Sequence, residues 1–234
     1  MSDDVWAIVP AAGIGTRMQS SRPKQYLALE DKTVIEHTLA QLASHPRIIG
    51  IVVAIANNDS WWSELTFDFS CLLYVAEGGK HRADSVLSAI KTLATKVDND
   101  PWLLVHDAAR PCLRHEDIDA MLDSLCEHQV GGVLGMPITD TVKRCDDMNT
   151  ILHTVERANL WRAVTPQMFR LQTLKKALQE AKKQGITVTD EAGAVERCGL
   201  SAIMVEGHAD NIKITLPQDL ALAAMYLRQQ KEGL

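Results

Sequence analysis

Between residues 5 and 27 a short apolar run, Val5-Trp6-Ala7-Ile8-Val9, breaks into Pro10-Ala11-Ala12-Gly13-Ile14-Gly15-Thr16-Arg17-Met18 and then Arg22-Pro23-Lys24-Gln25-Tyr26-Leu27. The pattern predicts a buried strand that empties into a cationic, glycine-bearing loop. Two small residues and two glycines let the backbone turn tightly and bring its N–H groups against a ligand, while Arg17 and Lys24 supply charge that an anion favours. A polyphosphate is the natural guest. Two other phosphate loops are excluded. The P-loop needs Gly-Lys-Ser/Thr directly before a helix, and Gly15 is followed by Thr16-Arg17. The dinucleotide fingerprint needs a third glycine where Met18 stands.

The rest of the chain alternates strand and helix patterns. A helix from Thr33 carries Val34, Ile35, Thr38, Leu39 and Leu42 on one face and stops before Pro46. Ile49 to Ala56 is apolar throughout, as suits a central parallel strand covered by helices. A short strand at Leu72–Ala76 leads into Gly78-Gly79 and Arg82-Ala83-Asp84-Ser85, where Asp84 or Ser85 can cap the next helix and Ser85 can also reach a ribose, base or phosphate. Strand 101–105 ends in His106-Asp107, and an acidic residue at the C-terminal end of a central strand is placed to hold a phosphate-bound metal. His106 reads better as a packed, hydrogen-bonded residue. A helix over 116–128 and a strand over 133–137 are followed by two β segments, 139–145 and 150–155, about a polar turn. Such a hairpin cannot bury both faces alone, so it suits packing on a second copy of the chain. A helix over 171–183, a loop opening a helix with Thr189 or Asp190 at its N-cap, strands over 202–207 and 210–215, and a closing helix from Pro217 to Leu227 complete the pattern. On the second of these strands Lys213 points away from Ile212 and Ile214, and Asp210 is a candidate for a second metal carboxylate.

With 46% hydrophobic and 23% charged residues over 234 positions, the composition is that of a folded globular chain. The net charge of −6, with no compensating run of Lys or Arg, argues against nucleic acid, so an anion must be met by a local cluster. No apolar stretch is long enough for a membrane helix. The acidic start Met1-Ser2-Asp3-Asp4 lacks the form of a signal peptide, and five cysteines show no metal or disulfide spacing, so a cytoplasmic setting with reduced thiols is expected.

The loop Ala11 to Met18 with Pro23-Lys24-Gln25-Tyr26 resembles the signature of the sugar-phosphate nucleotidyltransferases, and within them the cytidylyltransferases that use 2-C-methyl-D-erythritol 4-phosphate. His106-Asp107-Ala108-Ala109-Arg110-Pro111, Thr165-Pro166-Gln167, Thr189-Asp190-Glu191-Ala192 and Asn211-Ile212-Lys213-Ile214-Thr215 extend the likeness, in order, over essentially the whole chain. The resemblance implies an α/β fold: a single Rossmann-like domain spanning residues 1–234, with a mostly parallel central sheet and a protruding β-arm at about 138–157 that forms a homodimer. It implies that CTP lies against Ala11, Ala12, Gly13, Gly15, Lys24, Gly79, Arg82, Ser85 and Ala108. Asp107, Arg110, Thr141, Arg157, Thr165 and Thr189 would hold the acceptor, with Thr141 and Arg157 reaching a neighbour's site. Arg17, Lys24 and Lys213 would stabilise the transition state, with Mg²⁺ on Asp107 and Asp210. No second, fused domain is expected. A cytidylyltransferase for another polyol phosphate, such as ribitol 5-phosphate, and a non-catalytic nucleotide sensor remain as alternatives.

Overall fold

The computed structural model describes residues 4–13, 18, 22–69 and 71–233. In chain order the elements begin with β1 (Val5–Pro10), β2 (Ala28–Leu29), β3 (Lys32–Thr33), α1 (Val34–Ala43), β4 (Ile48–Ile55), β5 (Leu72–Glu77) and α2 (Arg82–Leu93). There follow β6 (Trp102–Val105), α3 (His115–Leu125), β7 (Gly131–Pro137), β8 (Val142–Cys145), β9 (Ile151–Val155) and β10 (Trp161–Arg170). The chain closes with α4 (Leu171–Lys183), α5 (Glu191–Glu196), β11 (Ile203–Glu206) and α6 (Gln218–Glu232).

Strand β1 is the axis. Its side chains alternate between two cores, Val5, Ala7 and Val9 entering one and Trp6 and Ile8 the other, as the two-residue period of a strand requires. It sits between β6 and β4 in a seven-stranded sheet of order β11-β7-β10-β6-β1-β4-β5. Every pairing in that sheet is parallel except those of β10, which runs against both β6 and β7. One face is covered by α1 and α3 through Ile35, Leu39, Leu42, Ile118, Met121 and Leu122. The other is covered by α2, α4 and α5 through Val86, Ile90, Leu93, Leu174, Leu178 and Val195. Burying each Val, Leu or Ile in these layers contributes about 1.5–3 kcal/mol, which is what fixes the helices on the sheet. Helix α1 starts where Thr33 Oγ1 accepts from the Glu36 N–H and the Glu36 carboxylate accepts from the Thr33 N–H at 2.8 Å. Its arrangement is a capping box that stabilises the first turn.

Three boundaries differ from the sequence pattern. The helix expected over 116–128 ends at Leu125, and α6 runs five residues beyond Leu227, its exposed amphipathic end giving no stop signal before Gly233. Residues 210–215 form no strand. The Ile214 N–H donates to Ala109 O at 2.9 Å, so the segment hangs on the loop after β6 rather than on a sheet edge. The Ile/Lys/Ile alternation has another cause, since Ile214 is buried with Ala223, Ala224 and Leu227 of α6 while Lys213 faces the opposite way.

Strands β8 and β9 pair only with each other, Val142 opposite Val155 and Arg144 opposite His153. The hairpin is inserted between β7 and β10, beyond the point where Pro137 meets Trp161. Its apolar side chains Met148, Ile151 and Leu152 are exposed at 84%, 60% and 60%.

Candidate active site

Because β1, β4, β5 and β6 run parallel, their C-terminal ends share one edge, where open α/β sheets place ligands. A cleft of about 620 Å³ opens there. Its walls are the backbone of Pro10 to Gly13 after β1, Gly79 to Arg82 after β5, Asp107 to Ala109 after β6, and Lys24, Ser85 and Lys213.

Each wall has a local reason. Gln25 Nε2 donates to Ala11 O at 2.6 Å and so ties the short helical turn Lys24–Tyr26 to the loop after β1. Lys24 stands on that turn and its Nζ donates to Ile214 O at 2.9 Å. At the β5 end the Gly78 N–H continues the sheet pairing to Ile55 O at 2.6 Å. A Cβ on Gly78 would lie 2.3 Å from that of Ala12, and one on Gly79 would lie 2.3 Å from that of Asp84, so both positions exclude a side chain. The Gly79 N–H donates to Ser85 Oγ at 3.0 Å, while His81 caps α2 with Asp84 at its third position.

Charge concentrates on Asp107. Arg82 Nε meets Oδ1 at 2.9 Å, Lys213 Nζ meets Oδ2 at 2.8 Å, and Arg110 Nε lies 3.5 Å from Oδ2. Burial would raise the Asp107 pKa, but Arg82, Lys213 and Arg110 overcome it and hold the carboxyl well below the usual range. Arg82 also donates through Nη1 to Glu191 Oε1 at 2.6 Å. Burial works against the Arg82 charge, yet Glu191 and Asp107 together raise its pKa. Burial pushes the Glu191 pKa up against the pull of Arg82. Three cations therefore surround two carboxylates, and of the three Arg82 and Lys213 line the cleft.

Of the residues predicted to meet a nucleotide, Ala11, Ala12, Gly13, Lys24, Gly79, Arg82, Ser85 and Ala108 all line this cleft, as does Lys213. Gly15 and Arg17 lie outside the described residues. The predicted acceptor residues separate. Asp107 is in the cleft, but Arg110 is 9% exposed, away from the lining, and donates through Nη1 to Asn211 O at 2.7 Å. Thr165 is buried, with its Oγ1 accepting from the Asp107 N–H at 3.0 Å and lying 3.2 Å from His106 Nδ1. Its hydroxyl thus fixes the backbone at Asp107. Thr189 borders a different surface hollow with Thr187 and Gly193. Thr141 is exposed on the hairpin stem, and Arg157 donates to the Thr139 carbonyl of its own chain.

The expected second metal carboxylate, Asp210, is not among the residues lining the cleft. Asp210 pairs with Arg114 at 2.8 Å and accepts from Gln230 Nε2 at 3.0 Å, which anchors the segment carrying Lys213 to α3 and α6, away from the cleft. Asp107 is left alone among cations, and among the described residues no group of three or more His, Cys, Asp or Glu side chains converges. The described residues of the cleft thus offer a magnesium ion at most the Asp107 carboxylate, and phosphate oxygens and water would have to supply the rest of its shell. His106 is fully buried, and burial pushes its pKa down to about 4. Its Nε2–H donates to Arg110 O at 3.0 Å, as the packed reading anticipated. Sequence reasoning passed over Lys80, His81 and Glu191. The first two lie in the turn after the paired glycines, and Glu191 looks like an ordinary first-turn helix acid until Arg82 is placed against it.

A Rossmann-like α/β domain whose sheet edge combines tight backbone turns with a cluster of Lys and Arg side chains defines a nucleotide-handling protein of the nucleotidyltransferase class. The chain belongs to the 2-C-methyl-D-erythritol 4-phosphate cytidylyltransferase (IspD) family, whose model matches residues 5–229. It is 51% identical over 228 residues to the enzyme of that name from Vibrio atlanticus, covering 97% of each chain. Among solved structures it resembles 4-diphosphocytidyl-2C-methyl-D-erythritol synthase, with TM-score 0.83, 32% identity and coverage of 97% of this chain and 100% of that one. It also resembles the Francisella tularensis 2-C-methyl-D-erythritol 4-phosphate cytidylyltransferase, with TM-score 0.80, 35% identity and coverage of 95% and 99%.

Proposed function

We propose that the chain transfers the cytidylyl group of CTP to 2-C-methyl-D-erythritol 4-phosphate, giving 4-diphosphocytidyl-2-C-methyl-D-erythritol and pyrophosphate, a step of isoprenoid precursor synthesis. The observation that carries this reading is the cleft in which Lys24, Arg82 and Lys213 converge beside the Ala11–Gly13 and Gly79 backbone, in a chain of this family. A phosphate oxygen of the acceptor forms a bond to the α-phosphorus of CTP. The bond from that phosphorus to the bridging oxygen breaks, and its electron pair departs on pyrophosphate. The nucleophile is already an anion, so no protein group need deprotonate it. What the protein supplies is alignment of two polyanions and positive charge aimed at the α-phosphate, where charge builds in the transition state.

Magnesium enters this reading as the counter-ion carried by the CTP triphosphate, part of the substrate. The exposed apolar hairpin and the separation of Thr141 and Arg157 from their own cleft support a homodimer in which each arm completes the neighbour's acceptor site. No described helix is long and apolar enough to cross a membrane, and all five cysteines are free, which supports a reaction in the cytoplasm. The test is pyrophosphate release measured across the four nucleoside triphosphates with a panel of polyol phosphates. CTP with the erythritol phosphate should dominate. A preference for ribitol 5-phosphate would replace the acceptor, and no release with any pair would remove the catalytic reading.

A further inference from the structure

Glu191 is the first residue of α5, is 1% exposed, and has no place among the nucleotide contacts, yet it shares the Arg82 guanidinium with Asp107. The sharing is one-armed on both sides. Nε goes to Asp107 Oδ1 and Nη1 goes to Glu191 Oε1, while Nη2 is buried without a hydrogen-bond partner among the described residues, as is Glu191 Oε2. Guanidinium–carboxylate pairs favour two parallel arms, and the two groups available to grip Asp107 side-on are Nε and Nη2. Such a grip would take Asp107 Oδ2, the oxygen that now meets Lys213 Nζ at 2.8 Å.

Resting on the nucleotidyl-transfer reading of the cleft, we propose that Glu191 is a positioning residue for the reaction: its bond to Nη1 sets the orientation of the Arg82 guanidinium so that only Nε reaches Asp107, and so keeps Asp107 Oδ2 for Lys213 and both cations aimed at the triphosphate. The position of Glu191 is itself fixed. Asp190 caps α5 by accepting from the Gly193 N–H at 3.0 Å, and Gln167 of β10 both donates to Asp190 Oδ2 at 2.9 Å and accepts from the Ala192 N–H at 2.8 Å. The carboxylate is thus presented to Arg82 by a short helix fastened to the sheet.

The test compares kcat and KM for CTP in the full chain for Glu191→Leu, Arg82→Ala and the double variant. Glu191→Leu should lose about tenfold or more in kcat with KM for CTP changed by less than about threefold, because alignment rather than ground-state binding is lost. Restoring an oxygen with Glu191→Gln should recover part of the loss. In the Arg82→Ala background, Glu191→Leu should change kcat by less than about twofold, since two residues acting as a unit are not additive. Equal losses in both backgrounds would make Glu191 a general support of the fold and overturn the proposal, as would unchanged kcat in the single variant. If Glu191→Leu alone does not fold, Arg82→Ala and the double variant still decide it, because removing both members of a buried ion pair is tolerated better than removing one. A wild-type chain that releases no pyrophosphate would instead remove the underlying reading, and the proposal with it.

Discussion

Asp107 has both oxygens within 3.5 Å of cations, with Arg82 and Lys213 the nearest at 2.9 and 2.8 Å, and this decides how the site should answer to metal. Chelation should abolish turnover and added Mg²⁺ restore it, as expected when the ion travels on CTP. Asp107→Asn should be impaired at every Mg²⁺ concentration, since what it loses is the arrangement of Arg82 and Lys213; rescue by excess Mg²⁺ would make Asp107 a metal ligand after all. Lys24→Ala should reduce kcat more than it weakens CTP binding, because its charge is best matched to the transition state. Steady-state kinetics beside calorimetric CTP titration separates the two effects, and near-normal turnover would end the role assigned to Lys24. Buried neutral His106 predicts a pH effect. Below its ordinary value of 6.5 the unfolded chain takes up a proton that the folded chain refuses until about pH 4, so stability is lost as pH falls through that window, by about 3 kcal/mol in all. In His106→Gln the denaturant-unfolding free energy should fall less between pH 7 and pH 4, with the histidines common to both proteins cancelling in the difference.

At the scale of elements, the turn from β5 into α2 binds the nucleotide wall to the sheet. Gly79 sits so close to Asp84 that a methyl group there must push the first turn of α2, and with it Arg82 and Ser85, out of place. Gly79→Ala should therefore raise KM for CTP by about tenfold or more, equivalent to some 1.4 kcal/mol, while the far-ultraviolet circular dichroism spectrum stays that of the wild type. In the sequence the paired glycines lead through Lys80-His81 into Arg82-Ala83-Asp84-Ser85. What they approach in the protein is Ala12 and Asp84, so they shape the wall before any ligand arrives. Residues 210–215 teach the opposite lesson. Their apolar-polar alternation is that of a strand, but the Ile214 N–H goes to Ala109 O in a loop and the alternation serves α6 on one side and the cleft on the other.

At the scale of the molecule, the described part of the cleft gathers the residues predicted to meet a nucleotide, while Thr141, Arg157 and Thr189, predicted to hold the acceptor, stand elsewhere. The hairpin carrying Thr141 and leading to Arg157 exposes Met148, Ile151 and Leu152, a surface suited to a second copy. Two inactive proteins, Lys24→Ala and Arg157→Ala, mixed under conditions of subunit exchange, should regain up to about half of the normal activity per mixed dimer, because one of its two sites carries neither lesion. No recovery despite proven exchange, or full activity in a monomer, would defeat the arrangement.

Most of the order of strands and helices, the covered parallel sheet and the tight backbone turns at its edge were determined by the sequence itself. They rest on local properties, namely unbroken apolar runs, helical periodicity and glycines where a backbone must come close, which act within one element and its neighbouring loop. Lys24 could be placed beside the first loop by its charge and its neighbours, whereas Gly79 entered the expected site only through the likeness to the family. Tertiary structure alone decided how the charges pair. Asp107 and Asp210 are equivalent on paper, yet one faces three cations in the cleft and the other closes on Arg114 behind it. Glu191 became a partner of Arg82 only when α5 and α2, 109 residues apart along the chain, were packed on the same face of the sheet. Electrostatic partnership falls off with distance in space and is blind to distance along the chain, so it is settled only when the fold is complete.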